Sequence, residues 1–181
     1  LASYRGYDTL GETTVIFTAG LAVLLLLGMR EGQNQRQGRT AIGDALVLRV
    51  VVKVLISFIL LYALYVQFHG DYGAGGGFQA GVVFATGFVI YDLVFGETDV
   101  RRVLPALWLA RLAVLGVFIY AGTGVACMLL GHSFLDYSAL AHDPVHGQHL
   151  GILLIELGVG VAVFSVILII FYAFSGLRRP K

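Results

Sequence analysis

The chain has 181 residues, 58% hydrophobic and only 13% charged, with a net charge of +1 and a mean hydropathy of +0.86. Its apolar residues come in blocks rather than in alternation, which leaves little chain for a soluble domain and points to an all-α, multi-pass transmembrane helical bundle. A single cysteine, Cys127, excludes an internal disulfide framework and reads as a small packing residue.

A hydrocarbon core about 30 Å thick takes about 20 apolar residues in a helix. Five segments meet that length, near residues 13–29, 50–68, 77–95, 112–130 and 152–174. Ahead of the first, Thr9-Leu10-Gly11-Glu12 has the form of a helix capping box. Asp8 stands four residues before Glu12, so the two carboxylates could form an acidic mouth that attracts cations. They also occupy the place where a signal peptide would carry basic residues. Residues 31–44 are polar and join a first module, residues 1–30, to a second, residues 45–181.

Spans two and three are joined by His69-Gly70-Asp71-Tyr72-Gly73-Ala74-Gly75-Gly76-Gly77-Phe78-Gln79-Ala80-Gly81. Glycine reaches positive φ and permits close approach of backbones, so this run implies a tight re-entry into the membrane. Gly75, Gly76 and Gly77 formally fit a dinucleotide fingerprint, but that motif follows a β-strand in a soluble unit, and here an apolar span precedes it. Gly77, Gly81 and Ala85 recur every four residues and give one helix a smooth face, expected to receive a partner helix.

Ionisable residues inside spans mark an ion pathway or a pair. Lys53 and Asp92 stand about fifteen residues, roughly 22 Å, below the hairpin tip on either arm, so an antiparallel pair places them level. They form an ion pair or relay step, or Lys53 snorkels to the interface near Arg49. Residues 96–106 make a short charged connector containing Pro105. Residues 131–149 form a loop long enough to pack over the bundle. Its His142, His146 and His149 have no cysteine partner and do not meet the ligand pattern of a metal site. Glu156 lies within Ile152-Leu153-Leu154-Ile155-Glu156-Leu157-Gly158, about 9 Å below the outer end of the last span. Left unpaired there, its carboxyl would be neutral. His149, two helical turns earlier, could pass it protons, or Glu156 could serve as a structural hydrogen-bonding group.

Ten of the twelve lysines and arginines fall in alternate linkers and at the C-terminus: Arg30, Arg36, Arg39, Arg49, Arg101, Arg102, Arg111, Arg178, Arg179 and Lys181. The positive-inside rule then puts the C-terminus in the cytoplasm and the N-terminus outside. The chain has no Ser/His/Asp nucleophile arrangement, no phosphate-binding Walker lysine and no basic aromatic patch for nucleic acid.

Tyr65-Val66-Gln67-Phe68-His69-Gly70 together with Gly75-Gly76-Gly77-Phe78-Gln79-Ala80-Gly81 resembles the signature of the B subunit of Mrp-type multisubunit Na+/H+ antiporters. Gly151-Ile152-Leu153-Leu154-Ile155-Glu156-Leu157-Gly158-Val159-Gly160 is similar to that subunit's last helix. The first module, Tyr4-Arg5-Gly6-Tyr7-Asp8-Thr9-Leu10-Gly11-Glu12, resembles a helix of the C-terminal part of the antiporter A subunit, as if fused to a B subunit.

The resemblance implies an accessory subunit, not an enzyme, in a prokaryotic cell membrane. Its partners would be the A, C, D, E, F and G types of subunit and membrane lipid, with Na+ and H+ as the transported ions and no cofactor. Asp8, Glu12, Lys53, Asp92, His149 and Glu156 are the candidates for lining an ion route. A membrane-arm subunit of a hydrogenase-type respiratory complex and a purely structural scaffold are the alternatives.

Overall fold

The computed structural model describes residues 6–27, 46–70 and 75–177. The linker 31–44, Arg5, Asp71, Ala74 and the basic C-terminal residues lie outside the described residues. Among the described residues six α-helices follow in order: α1 (Gly6–Leu27), α2 (Leu46–His69), α3 (Gly77–Phe95), the short α4 (Glu97–Val103), α5 (Ala106–Leu129) and α6 (Pro144–Leu177). A 3-10 turn, Tyr137–Leu140, lies between α5 and α6, and there is no strand among the described residues. All except α4 are long and apolar enough to cross a bilayer, so the chain is a multi-pass membrane protein.

Two helices begin well before their apolar blocks. The expected cap at Thr9 does not form, because α1 already runs from Gly6 and Thr9 accepts a bond from Thr13 Oγ1 at 2.8 Å. Tertiary contact holds its first described turn: the Tyr120 hydroxyl donates to Gly6 O, and Tyr7 packs on Phe134. At the head of α6, Asp143 Oδ1 accepts from Val145 N at 3.0 Å and Pro144 occupies the first helical position. The resulting 34-residue helix is about 51 Å long, well beyond the hydrocarbon thickness.

Helix α6 is the pillar of the bundle, with α5, α3 and α1 packed around it and α2 resting on α3. Glycines set the closeness of these contacts. A Cβ on Gly116 of α5 would lie 2.5 Å from Gly158 O, and one on Gly158 would lie 2.8 Å from Gly116 O, so the two backbones touch reciprocally. On α3, a Cβ on Gly77 would fall 1.9 Å from Glu156 O and one on Gly81 would fall 2.7 Å from Gly160 O. Ala85 is fully buried on the same face. The smooth face of α3 therefore packs against α6 of the same chain, not against another subunit. On α1, Gly20 admits Val166 of α6.

A cap closes the end of the bundle to which the α2–α3 hairpin tip belongs. Tyr137 sits over Gly147 and Gly151 of α6, and Phe134 drops into the notch at Gly124. Burial, and next the proximity of the Cys127 thiol, push the Tyr137 hydroxyl up to about 12, so it stays protonated. Asp136 holds the loop together: it accepts from Ser138 N at 3.3 Å and lies 3.1 Å from His132 Nδ1. Hydrogen bonds from the Ser138 and His132 side chains hold its carboxyl below the usual carboxylate range.

Two outcomes are expected. Gly116→Ala forces methyl against backbone and should destabilise the bundle by about 1–3 kcal/mol, as overpacking does. Gly122→Ala, which meets nothing within 4 Å, should be neutral or stabilising by about 0.5–1 kcal/mol. Thermal unfolding of the two variants compares them, and equal melting would contradict the packing described. For the cap, a carboxyl with a depressed folded pKa stabilises above its unfolded value of about 3.9 and loses that contribution as pH falls through the folded value. Protease access to residues 131–143 should accordingly stay low at neutral pH and rise only in strong acid, whereas Asp136→Asn should show raised access already at neutral pH.

Candidate functional site

The site is built where the hairpin tip meets α6. Helix α2 ends at His69, whose ring stacks on Tyr65 with centroids 5.0 Å apart. The chain returns through Gly75 and Gly76, and Gly76 N donates to Val66 O at 3.2 Å. Gly76 has φ 119°, a left-handed value that an L side chain rarely adopts, so the re-entry needs glycine there. Gly75 is pressed close too, since a Cβ on it would lie 3.0 Å from Val66 O.

Into this turn projects Glu156. A Cβ on Gly70 would come within 2.3 Å and 2.4 Å of the two carboxylate oxygens, and a Cβ on Gly76 within 3.2 Å of Oε1. The missing side chains of the glycine run are thus the space that the carboxylate occupies. One turn along α6, Gly160 admits the Gln67 side chain, whose Oε1 would be 2.5 Å from a Cβ at that position. Glu156, Gln67 and the backbone of the hairpin tip come together where α2, α3 and α6 meet.

The surroundings of Glu156 differ from those its sequence neighbours suggest. Glu156 is level with the hairpin tip and half-buried against backbone, not isolated among apolar side chains. Helix α6 begins twelve residues earlier, at Pro144, so about 18 Å of helix rises beyond the carboxylate towards the cap. His149 is exposed on that segment, about 10 Å from Glu156 along the axis.

The remaining candidates are dispersed. Asp8 and Glu12 are exposed on α1. Asp92 is buried on α3, 7% exposed, and its carbonyl accepts from Gly96 N. Lys53 is exposed on α2 with its ammonium 5.4 Å from the centre of the Phe95 ring. Hairpin register keeps Lys53 within about a turn of Asp92 in depth, but the lysine turns outward to Phe95 while the aspartate turns inward. Among the described residues, no three His, Cys, Asp or Glu side chains gather as a metal-binding group.

Sequence reasoning missed Gln67 at this junction. Its one signal was a polar residue two positions before the end of α2.

The comparisons with known proteins converge. Residues 47–169 match the family described as a domain related to the MnhB subunit of Na+/H+ antiporter. The antiporter subunit mnhB2 of Staphylococcus haemolyticus is 37% identical over 133 residues, covering 72% of this chain and 94% of that one. That of Staphylococcus aureus is 33% identical over 135 residues, covering 73% and 95%. Among solved structures, the Mrp complex from a Dietzia species is similar with a TM-score of 0.60 and 29% identity, over 90% of this chain. The chain spans only 20% of the length of that Dietzia chain. The membrane-bound sulfane sulfur reductase, an archaeal respiratory membrane complex, is similar with a TM-score of 0.63 and 27% identity, over 92% of this chain and 73% of that one. The chain belongs to the family of domains related to the MnhB subunit of Na+/H+ antiporters.

Proposed function

We propose that this chain is an accessory subunit of a multisubunit Na+/H+ antiporter in a prokaryotic cell membrane, a transporter component rather than an enzyme. It packs beside large proton-translocating subunits of the A and D types and the smaller C, E, F and G types. The observation that carries a direct part in ion handling is Glu156, an ionisable group held by the backbone of a glycine turn. Ionisable residues inside membrane spans are costly and by default functional. A carboxylate whose oxygens lie against Gly70 and Gly76 can take up and release a proton or monovalent cation with no side chain at those positions in the way.

Asp8, Glu12 and His149 would supply the outer approach to Glu156, and Asp92 the inner end of the route. Lys53, turned to the membrane boundary, stands outside this route. The orientation is with the hairpin tip and cap outside. Arg49, Arg101, Arg102 and Arg111 gather at the opposite end, which supports that end as cytoplasmic. The likeness to solved complexes over 90% and 92% of the chain reaches beyond residues 47–169, and it supports reading α1 as a helix shared with the A-subunit type.

A second reading is a subunit of the membrane arm of a respiratory complex. It is favoured by the sulfane sulfur reductase chain, of which 73% is matched. Partners that co-purify in mild detergent separate the two, since iron-sulfur subunits belong only to the second.

Glu156→Gln keeps hydrogen bonding but cannot ionise. Complexes carrying it should assemble normally, and Na+-driven proton movement in inverted vesicles should fall by about a hundredfold, the scale of losing a proton-transferring group. Undiminished exchange would reduce Glu156 to a structural role. Gly70→Val, which intrudes on the carboxylate oxygens, should lower exchange in the same direction while leaving the α5–α6 contact intact.

A further inference from the structure

At the arginine end, α2, α3 and α4 enclose a groove of about 290 Å³ that none of the foregoing uses. Its walls are Ile56 and Leu60 of α2, Gly87, Phe88 and Tyr91 of α3, and Val100 and Val103 of α4. Val100 is buried and forms the floor, whereas Val103 is 69% exposed and marks the open side towards the membrane. Gly87 lets Leu60 of α2 come close to α3 along this wall, since a Cβ on it would meet Leu60 at 3.0 Å.

The lining is apolar apart from the Tyr91 hydroxyl, and the groove opens sideways at Val103, a shape that suits a narrow flexible chain of methylenes.

The mouth is cationic and organised. Tyr91, which lines the groove, stacks on Phe95 with centroids 4.6 Å apart. Over that same Phe95 ring stand the Arg49 guanidinium at 5.7 Å and the Lys53 ammonium at 5.4 Å. Such cation–π seating holds two long side chains that would otherwise wander. Neither cation is in an ion pair among the described residues. Arg49 Nε is moreover sealed from solvent without a hydrogen-bond partner. Two ordered cations at the foot of an apolar groove, at the depth where α3 ends, match the two halves of an anionic lipid.

We propose that this groove holds an acyl chain of an anionic phospholipid whose phosphate lies on Arg49 and Lys53. Phe95 aligns the cations, Arg49 Nε gains an acceptor, and the chain fills the space between Ile56, Gly87 and Val103. A phospholipid held in this way caps α4 against the bundle. The ligand is independent of the ion route assigned to Glu156, so either reading can fail without the other.

The test uses the assembled complex in phosphatidylcholine vesicles doped with photoactivatable phosphatidylglycerol, its reactive group near the end of the acyl chain. Cross-linked peptides are mapped by mass spectrometry. Labelling should concentrate on α2 around Ile56–Leu60 and on α4 around Val100–Val103. Photoactivatable phosphatidylcholine should label the same peptides far less. Removing both cations by Arg49→Gln with Lys53→Gln should lower phosphatidylglycerol labelling by about thirtyfold, at about 1 kcal/mol for each basic residue near a membrane surface. Val103→Trp, which fills the open side and leaves the cations in place, should abolish labelling of α2 at this site. Intact assembly of each variant is read on native gels. Equal labelling by the two lipids, labelling unchanged in the variants, or a protein cross-link from a cysteine placed at Val103 to another subunit would each overturn the assignment.

Discussion

Backbone-to-backbone contact along α6 is the constraint on which the rest of the bundle depends. In a membrane there is no gain from moving apolar side chains out of water, since lipid tails are as apolar as leucine, and helices associate through close packing and polar contacts. Helix α6 meets α5 at Gly116 and Gly158, and α3 at Gly77, Gly81 and Gly160, at distances a single methyl would abolish. These contacts fix the depth of α3 relative to α6. That depth in turn decides which residue of α6 faces the hairpin tip, and the residue is Glu156.

The same pillar explains the uneven exposure of the other helices. Helices α1 and α2 leave most of their apolar surface uncovered, including Val15, Leu25 and Leu26 on α1 and Phe58, Leu61 and Phe68 on α2. In lipid such faces are ordinary. In a subunit of a large membrane assembly they are also where neighbouring helices would lie, and their position on opposite arms of the fold leaves α6 as the shielded interior.

Much of this was legible from residue order. Five blocks of apolar residues became five long helices, and the glycine run became a tight hairpin. What hydropathy could not place was the ends. The first described turn of α1, at Gly6 and Tyr7, is held by Tyr120 and Phe134, more than a hundred residues away. Helix α6 starts at Pro144 because Asp143 caps it, in a stretch too polar for an apolar window to include. Direction was equally hidden. Lys53 and Asp92 share a level, yet periodicity alone did not separate the outward face holding Lys53 from the inward one holding Asp92.

The seating of Glu156 against Gly70 has an evolutionary consequence. The carboxylate fills the volume a side chain at position 70 would need, so the two positions form one steric unit although 86 residues separate them. A lineage that shortens the acid at 156 to aspartate frees room at 70, and one that gains alanine at 70 must shorten or redirect the acid. Drift at either site is therefore conditional on the other, and the pair should be inherited together across the family even where the loop between them varies.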